Sequence, residues 1–325
     1  MTPTAASRAP ARARPARTVF IGSGPFAVPA LRALATDPAV KIVGVVTAPP
    51  RPSGRGLEVV ATPVAEVASE LGQTPLLTPR RLRDPAAIDE VLATKPALIV
   101  LADYGQIVPA ALLGVRKGAL NLHPSLLPRH RGASPIPATI LAGDEETGVT
   151  LMRMDEGLDT GPIVAQVRTP VDDGETAPAL ELRLADLAAG LLTTWLSGWL
   201  RGELTEQPQP TAGGTLTKPL RREDGRLDPS RSAVELERQV RAYQPWPGSF
   251  VDTAKGRLTV WAADVGPGEH QPAGRFGPRG LETADGTLVL HEVQPAGGRR
   301  MPWVEFLRGR AGIVGSAALA STRDP

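Results

Sequence analysis

The chain has 325 residues, 42% hydrophobic and 22% charged, with a formal net charge of +2 at pH 7. That length and apolar content suit two ordinary folded domains, and no apolar run approaches the roughly 20 residues of a membrane helix. It contains no cysteine, which removes disulfides, thiol catalysis and Cys-ligated zinc, and its near-neutral balance requires local basic patches for any nucleic-acid partner.

Residues 1–17 hold four arginines, no acid and no apolar core, so a disordered N-terminal tail is expected there. The folded part is expected to open at residue 18 with a buried strand, a tight glycine turn and a helix to about residue 35. Further strands are predicted at 41–47 and 97–101 with helical patterns between them. That alternation implies a parallel sheet covered on both faces. The first turn, Gly22-Ser-Gly-Pro-Phe-Ala27, fits a dinucleotide fingerprint, but the second strand ends Thr47-Ala-Pro-Pro without the acid that would hold a ribose. Close strand–helix packing, or part of another ligand's pocket, accounts for it better. Residues 49–57 are too rich in Pro and Gly for regular structure. They carry Arg51 and Arg55, either a solvated face or a grip on phosphate.

The stretch at 101–136 organises the rest. Residues 118–123 (GALNLH) read as a strand whose alternation puts Asn121 and His123 on one face. Pro124 and Pro128 end that strand and fix the loop between them. A lone His after a strand is commonly structural. An Asn beside it supplies a neutral donor, and the pair suits stabilisation of an oxyanion next to a proton transfer. A strand at 147–154 then leads into Asp155-Glu-Gly-Leu-Asp159-Thr-Gly161, where three acids crowd one turn and Asp159 lies between glycines. An acid in a glycine turn is commonly only a turn residue.

A strand from 162 and a helix over 178–200 complete an N-terminal domain at 18–205, followed by a linker at 206–215. A C-terminal domain at 216–312 is predicted to hold one helix (232–243) and short strands at 248–253, 257–262, 274–278, 287–293 and 301–307. Such spacing implies a small β-barrel. Residues 313–325 are expected to be frayed.

Three motifs carry a resemblance over about 19–307: Asp103-Tyr-Gly-Gln-Ile-Val-Pro; Asn121-Leu-His-Pro-Ser-Leu-Leu-Pro with Arg131-Gly-Ala-Ser-Pro-Ile; and Gly148-Val-Thr-Leu-Met-Arg-Met with Gly157-Leu-Asp-Thr-Gly. With Arg241-Ala-Tyr-Gln-Pro-Trp-Pro-Gly, the chain resembles the methionyl-tRNA formyltransferase family. The resemblance implies an α/β fold: a Rossmann-like parallel-sheet formyltransferase domain followed by a small OB-like, tRNA-binding β-barrel domain. It implies formyl transfer from 10-formyltetrahydrofolate to the α-amino group of methionyl initiator tRNA, for translation initiation. Asn121, His123 and Asp159 match the family's catalytic residues. Ser125, Leu126, Leu127 and Pro128 match its folate-binding segment, and Arg51 and Arg55 fall in the loop that reaches the tRNA acceptor end. His130 stands where the family commonly has Trp, Asp228 is followed by Pro rather than Trp, and Leu-Glu-Val-Val replaces common lysines after Gly56.

The expected partners are methionyl initiator tRNA and a small-molecule folate, with no membrane and no metal, for a monomer in the cytoplasm. The alternative is a folate-dependent formyltransferase acting on a nucleotide or amino-sugar acceptor. A zinc hydrolase using His123, His130 and Asp159 has no recognised ligand spacing. A tRNA-binding protein without catalysis would bind acceptor stems and turn over no folate.

Overall fold

A computed structural model of the chain describes residues 14–53, 58–72, 74–269 and 271–319. The first half runs β1 (Ala16–Gly22), α1 (Val28–Thr36), β2 (Val40–Val46), β3 (Arg51–Ser53), β4 (Glu58–Val60), α2 (Pro63–Glu70), β5 (Leu76–Leu77), α3 (Pro85–Ala93), β6 (Leu98–Ala102), α4 (Ala110–Leu113) and β7 (Ala119–His123). There follow β8 (Arg131–Gly132), α5 (Pro135–Ala142), β9 (Glu146–Arg153), β10 (Ile163–Pro170) and α6 (Ala177–Arg201).

A seven-stranded sheet has the order β10-β9-β7-β6-β1-β2-β5. The pairs β7/β6, β6/β1, β1/β2 and β2/β5 are parallel, as expected from near-continuous apolar strands. All five residues of β6 are buried, and so are Val19, Phe20 and Ile21 of β1. The sheet is not parallel throughout. Arg153 N–H donates to Pro162 O (3.0 Å) and Val171 N–H to Glu145 O (2.9 Å), so β9 and β10 form an antiparallel hairpin. A nine-residue connection is too short for the crossover that a parallel pair needs, so this pair departs from the parallel sheet.

The strand β1 begins at Ala16, paired with Val40, so Ala16 and Arg17 belong to the sheet rather than to a tail. The loop expected around Arg51 contains a short antiparallel ribbon, with Arg51 opposite Val60.

Two compact units divide the chain. One comprises the chain through His123 with Leu151–Ala165 and Ala185–Pro208; its core includes Val19, Ile21, Val46, Leu82, Ile99 and Leu101. The other comprises Pro124–Thr150, Gln166–Leu184 and the described residues from Gln209 onward. It contains β11 (Leu216–Thr217), α7 (Ala233–Ala242), β12 (Ser249–Thr253), β13 (Gly256–Gly266), β14 (Gly280–Glu282), β15 (Thr287–Pro295), β16 (Met301–Pro302) and α8 (Trp303–Gly309). Residues 124–150 join this unit for local reasons. The pair β8/β11 is a two-residue parallel ladder. Gly132, at φ 101°, fits there because any Cβ would collide with the Thr217 carbonyl. Likewise Gly143 leaves room for the Arg238 guanidinium.

The C-terminal sheet is antiparallel, in the order β12-β13-β15-β14 with β16 on β15, and closes over Leu236, Val251, Leu258, Phe276, Leu290 and Trp303. Two predicted strands differ. Residues 274–278 form no strand; Phe276 bridges to Leu281 and the strand lies at Gly280–Glu282. Residues 301–307 form only a two-residue strand before α8. The three-residue spacing of Trp303 and Phe306 puts both rings on one helical face, stacked at 5.3 Å. Residues 313–319 are not frayed. Gly315 donates to Phe276 O (2.7 Å), Ala318 to Gly274 O (2.7 Å) and Leu319 to Asp252 O (2.8 Å).

At the start of α7 a reciprocal cap joins Ser232 and Glu235: Ser232 Oγ accepts from Glu235 N–H (3.3 Å) and Ser232 N–H donates to Glu235 Oε2 (3.0 Å). The backbone N–H of Ser232 is the main cause that brings the Glu235 carboxyl down to about 2. Ser232→Ala is expected to cost about 1 kcal/mol in denaturant unfolding. A carboxyl depressed in the folded state supports stability above its ordinary value of 4.5 and loses that support as pH falls towards about 2. Glu235→Gln should therefore flatten the acid limb of stability over that window.

Candidate active site

The site is built first by β7. Its alternation turns Leu120 and Leu122 to one side and Asn121 and His123 to the other, with Asn121 5% and His123 4% exposed. The parallel ladder aligns Leu101 with Asn121 and Ala102 with Leu122, which brings the polar pair to the C-terminal edge of the sheet.

Asp159 arrives from the turn between β9 and β10. Asn121 Nδ2 donates to Asp159 Oδ1 at 3.4 Å, and His123 Nδ1 lies 3.7 Å from Asp159 Oδ2. The three predicted catalytic residues are thus brought together. Asp159 is held at φ 52°, a left-handed conformation uncommon outside glycine but tolerated by Asp. Asp155 builds the turn that imposes it: Oδ1 accepts from Gly157 N–H (3.0 Å) and from Thr160 Oγ1 (2.8 Å). Side chains at Gly157 and Gly161 would collide with Thr160 and the Arg153 carbonyl. Of the three acids in this turn, Asp155 shapes it, Glu156 is exposed, and Asp159 faces the polar pair.

One residue past β6, whose last ladder pair is Ala102 with Leu122, lies Asp103, at φ 49°. Its carbonyl accepts from Ser23 N–H (2.9 Å), and its carboxylate lies where a Cβ on Gly24 would be. The Gly22–Ala27 turn is therefore a close-packing device: a Cβ on Gly22 would stand 2.6 Å from the Ala102 carbonyl. Asp103 reaches solvent but is crowded by protein, and that desolvation raises its carboxyl above the usual range. Burial likewise pushes the Tyr104 phenol up to about 12, and its hydroxyl has no hydrogen-bond partner among the described residues. In the sequence Asp103 opens the motif Asp103-Tyr-Gly-Gln-Ile-Val-Pro, which assigns it no role. The available signal was its position one residue beyond a fully apolar strand.

The segment Ser125–Pro128 lies in the second unit. Ser125 and Leu127 are buried, and Ser125 Oγ donates to Arg129 O (2.6 Å), so Leu126 and Pro128 are its partly open side chains. His130 is buried with Nε2 2.7 Å from Asp144 Oδ2, and Asp144 also accepts from Arg129. Arg131 donates to Gln209 Oε1 at 2.6 and 3.0 Å. Among the described residues no cluster of three or more His, Asp or Glu side chains is placed to hold a metal. No helix among them is long and apolar enough to cross a membrane. Arg51 is exposed on β3, and Arg55 lies outside the described residues.

Residues 16–196 match the formyl transferase family model, and 219–311 match the formyl transferase C-terminal domain. A methionyl-tRNA formyltransferase of Roseiflexus sp. (strain RS-1) is 45% identical over 305 residues, covering 91% of this chain and 93% of the relative. That of Thermus thermophilus is 44% identical over 298 residues, covering 90% and 96%. A crystal structure of the N-formyltransferase from Helicobacter canadensis shares the fold, with a TM-score of 0.60 at 15% identity over 85% of this chain and 98% of that one. The chain belongs to the methionyl-tRNA formyltransferase family.

The environment of Asp103 makes a stability prediction. A carboxyl raised on folding adds nothing unfavourable below its ordinary value of 3.8 and costs stability as pH rises through its raised value. Asp103→Asn, which tolerates the same backbone conformation, is expected to raise the melting temperature at pH 7. The gain should vanish below about pH 3.8 in a melting series against pH.

Proposed function

We infer that this chain transfers the formyl group of 10-formyltetrahydrofolate to the α-amine of methionine on initiator tRNA. The observation that carries it is the convergence of an amide, an imidazole and a carboxylate at one sheet edge, with Asp159 3.4 Å from Asn121 and 3.7 Å from His123. The names carried by relatives at 45% and 44% identity support this acceptor over a sugar or nucleotide. We place the activity in the cytoplasm, performed by a monomer.

The chemistry follows from the three groups. The neutral amine attacks the formyl carbon, forming a carbon–nitrogen bond and pushing electron density onto the formyl oxygen. Asn121 Nδ2–H and the His123 ring are donors suited to that oxyanion, and both are nearly dry, where such bonds count for more than in water. The Asp159 carboxylate accepts the proton that the amine loses and favours positive charge on the adjacent imidazole. Collapse of the tetrahedral intermediate breaks the bond to N10, which takes up a proton as tetrahydrofolate leaves. Arg51 and Arg55 contribute phosphate contacts to the acceptor stem, and Ser125–Pro128 lines the folate.

Three outcomes test this reading. In single-turnover assays with charged initiator tRNA, and charged elongator tRNA as comparison, Asn121→Ala should slow transfer by about 10²- to 10³-fold. Asp159→Asn should slow it by about 10² or more while melting near the parent temperature. A large loss of stability with near-normal chemistry would instead make Asp159 a turn residue. Replacing Arg51 and Arg55 together should reduce the salt dependence of tRNA binding by about 0.9 in log–log slope per lost duplex contact.

A further inference from the structure

The loop at Ser125–Pro128 is short, lies outside regular structure, follows Pro124 and ends on Pro128, so its shape has to come from its neighbours. One buried hydroxyl supplies most of it. Thr150, on β9 and fully buried, donates from Oγ1 to Ser125 O at 2.7 Å and accepts from Leu127 N–H at 3.1 Å. Its remaining acceptor position takes Gln166 Nε2 at 2.8 Å, and the same Gln166 nitrogen lies 3.0 Å from Leu127 O. A hydroxyl has one donor and two acceptor sites, and here all three are used. Thr150 therefore fixes the main chain on both sides of Leu126, and Gln166 locks the clamp from β10. Two residues earlier on the same face of β9, Gly148 makes room for the loop: a Cβ there would stand 2.7 Å from Leu126 Cδ2 and would collide with the Val167 carbonyl. One face of β9 thus seats the loop's side chain at Gly148 and binds its backbone at Thr150.

We propose that Thr150, braced by Gln166, is a positioning residue for folate: it sets the conformation of the Ser125–Pro128 loop without touching the ligand. This rests on the reading that the loop contacts 10-formyltetrahydrofolate. A preformed loop spares the ligand the cost of ordering it, so the effect belongs in folate affinity rather than in the chemical step or in tRNA binding.

The test uses the full chain with both substrates. Thr150→Val keeps the shape and removes the hydroxyl. With all three of its hydrogen bonds lost, it should raise KM for 10-formyltetrahydrofolate about tenfold or more, with kcat and KM for methionyl-tRNA within about twofold of the parent. Thr150→Ser, which restores the hydroxyl, should return KM to near the parent value. If Thr150→Val does not fold, Gln166→Leu carries the test, with a smaller shift of about threefold in the same direction expected from the loss of the brace alone. Leu126→Ala separates the two levels of the argument. An unchanged folate KM in Thr150→Val overturns the inference. If Leu126→Ala then raises that KM, the failure is confined to Thr150; if it does not, the failure reaches the folate reading of the loop. Equal losses in kcat and in both KM values, unrescued by Ser, would make Thr150 a general packing residue and also overturn the inference.

Discussion

The register of β7 is the constraint on which the rest depends. Side chains on a strand alternate with a period of two, so a slip of one residue would send Asn121 and His123 to the opposite face and bring Leu120 and Leu122 into the site. Three features resist that slip. The parallel ladder to β6 aligns Leu101 with Asn121 and Ala102 with Leu122, both leucines are almost fully buried, and Pro124 forbids the strand from continuing in the ladder. The polar pair is thus placed by packing forces that have nothing to do with its chemistry.

Asp159 meets that pair from a turn with the opposite character: exposed, glycine-rich and shaped by hydrogen bonds instead of apolar contact. Asp155 gathers the Gly157 N–H and the Thr160 hydroxyl and so holds Asp159 in a left-handed conformation. A carboxylate fixed this way needs little reorganisation when charge develops beside it, which is the physical content of a preorganised site. Rigid strand and strained turn divide the labour, one placing the amide and imidazole and the other the carboxylate.

Much of this was legible in the sequence because the signals were periodic. The GALNLH run implies its own face, the alternation of strands and helices implies the sheet, and the helix predicted at 232–243 is α7, with Ser232 as its N-cap residue. What escaped depended on contacts between distant positions. The Met-Pro-Trp-Val-Glu-Phe-Leu run, 301–307, reads as a strand by composition, and only the core into which Trp303 and Phe306 fit selects a helix. The antiparallel turn from β9 to β10 was hidden by the expectation of crossovers. Asp103 has only its place one residue beyond an apolar strand, and Thr150 carries no local mark. The first is notable for crowding by Gly24 and the second for three partners drawn from Ser125, Leu127 and Gln166, none within 15 positions of it.

The backbone bonds made by 315–319 bear on how the protein behaves when its C-terminus is altered. Gly315, Ala318 and Leu319 occupy carbonyls of Phe276, Gly274 and Asp252, and Arg275 bridges to Ala317. Without those residues the chain around 274–276 and the outer side of β12 would present vacant backbone acceptors beside the exposed rim of an antiparallel sheet. Such a rim is an invitation to pair with another chain. The last described turn thus acts as a selvedge, finishing the sheet so that it does not continue into a neighbouring molecule, and its loss would appear as aggregation before it appeared as lost catalysis.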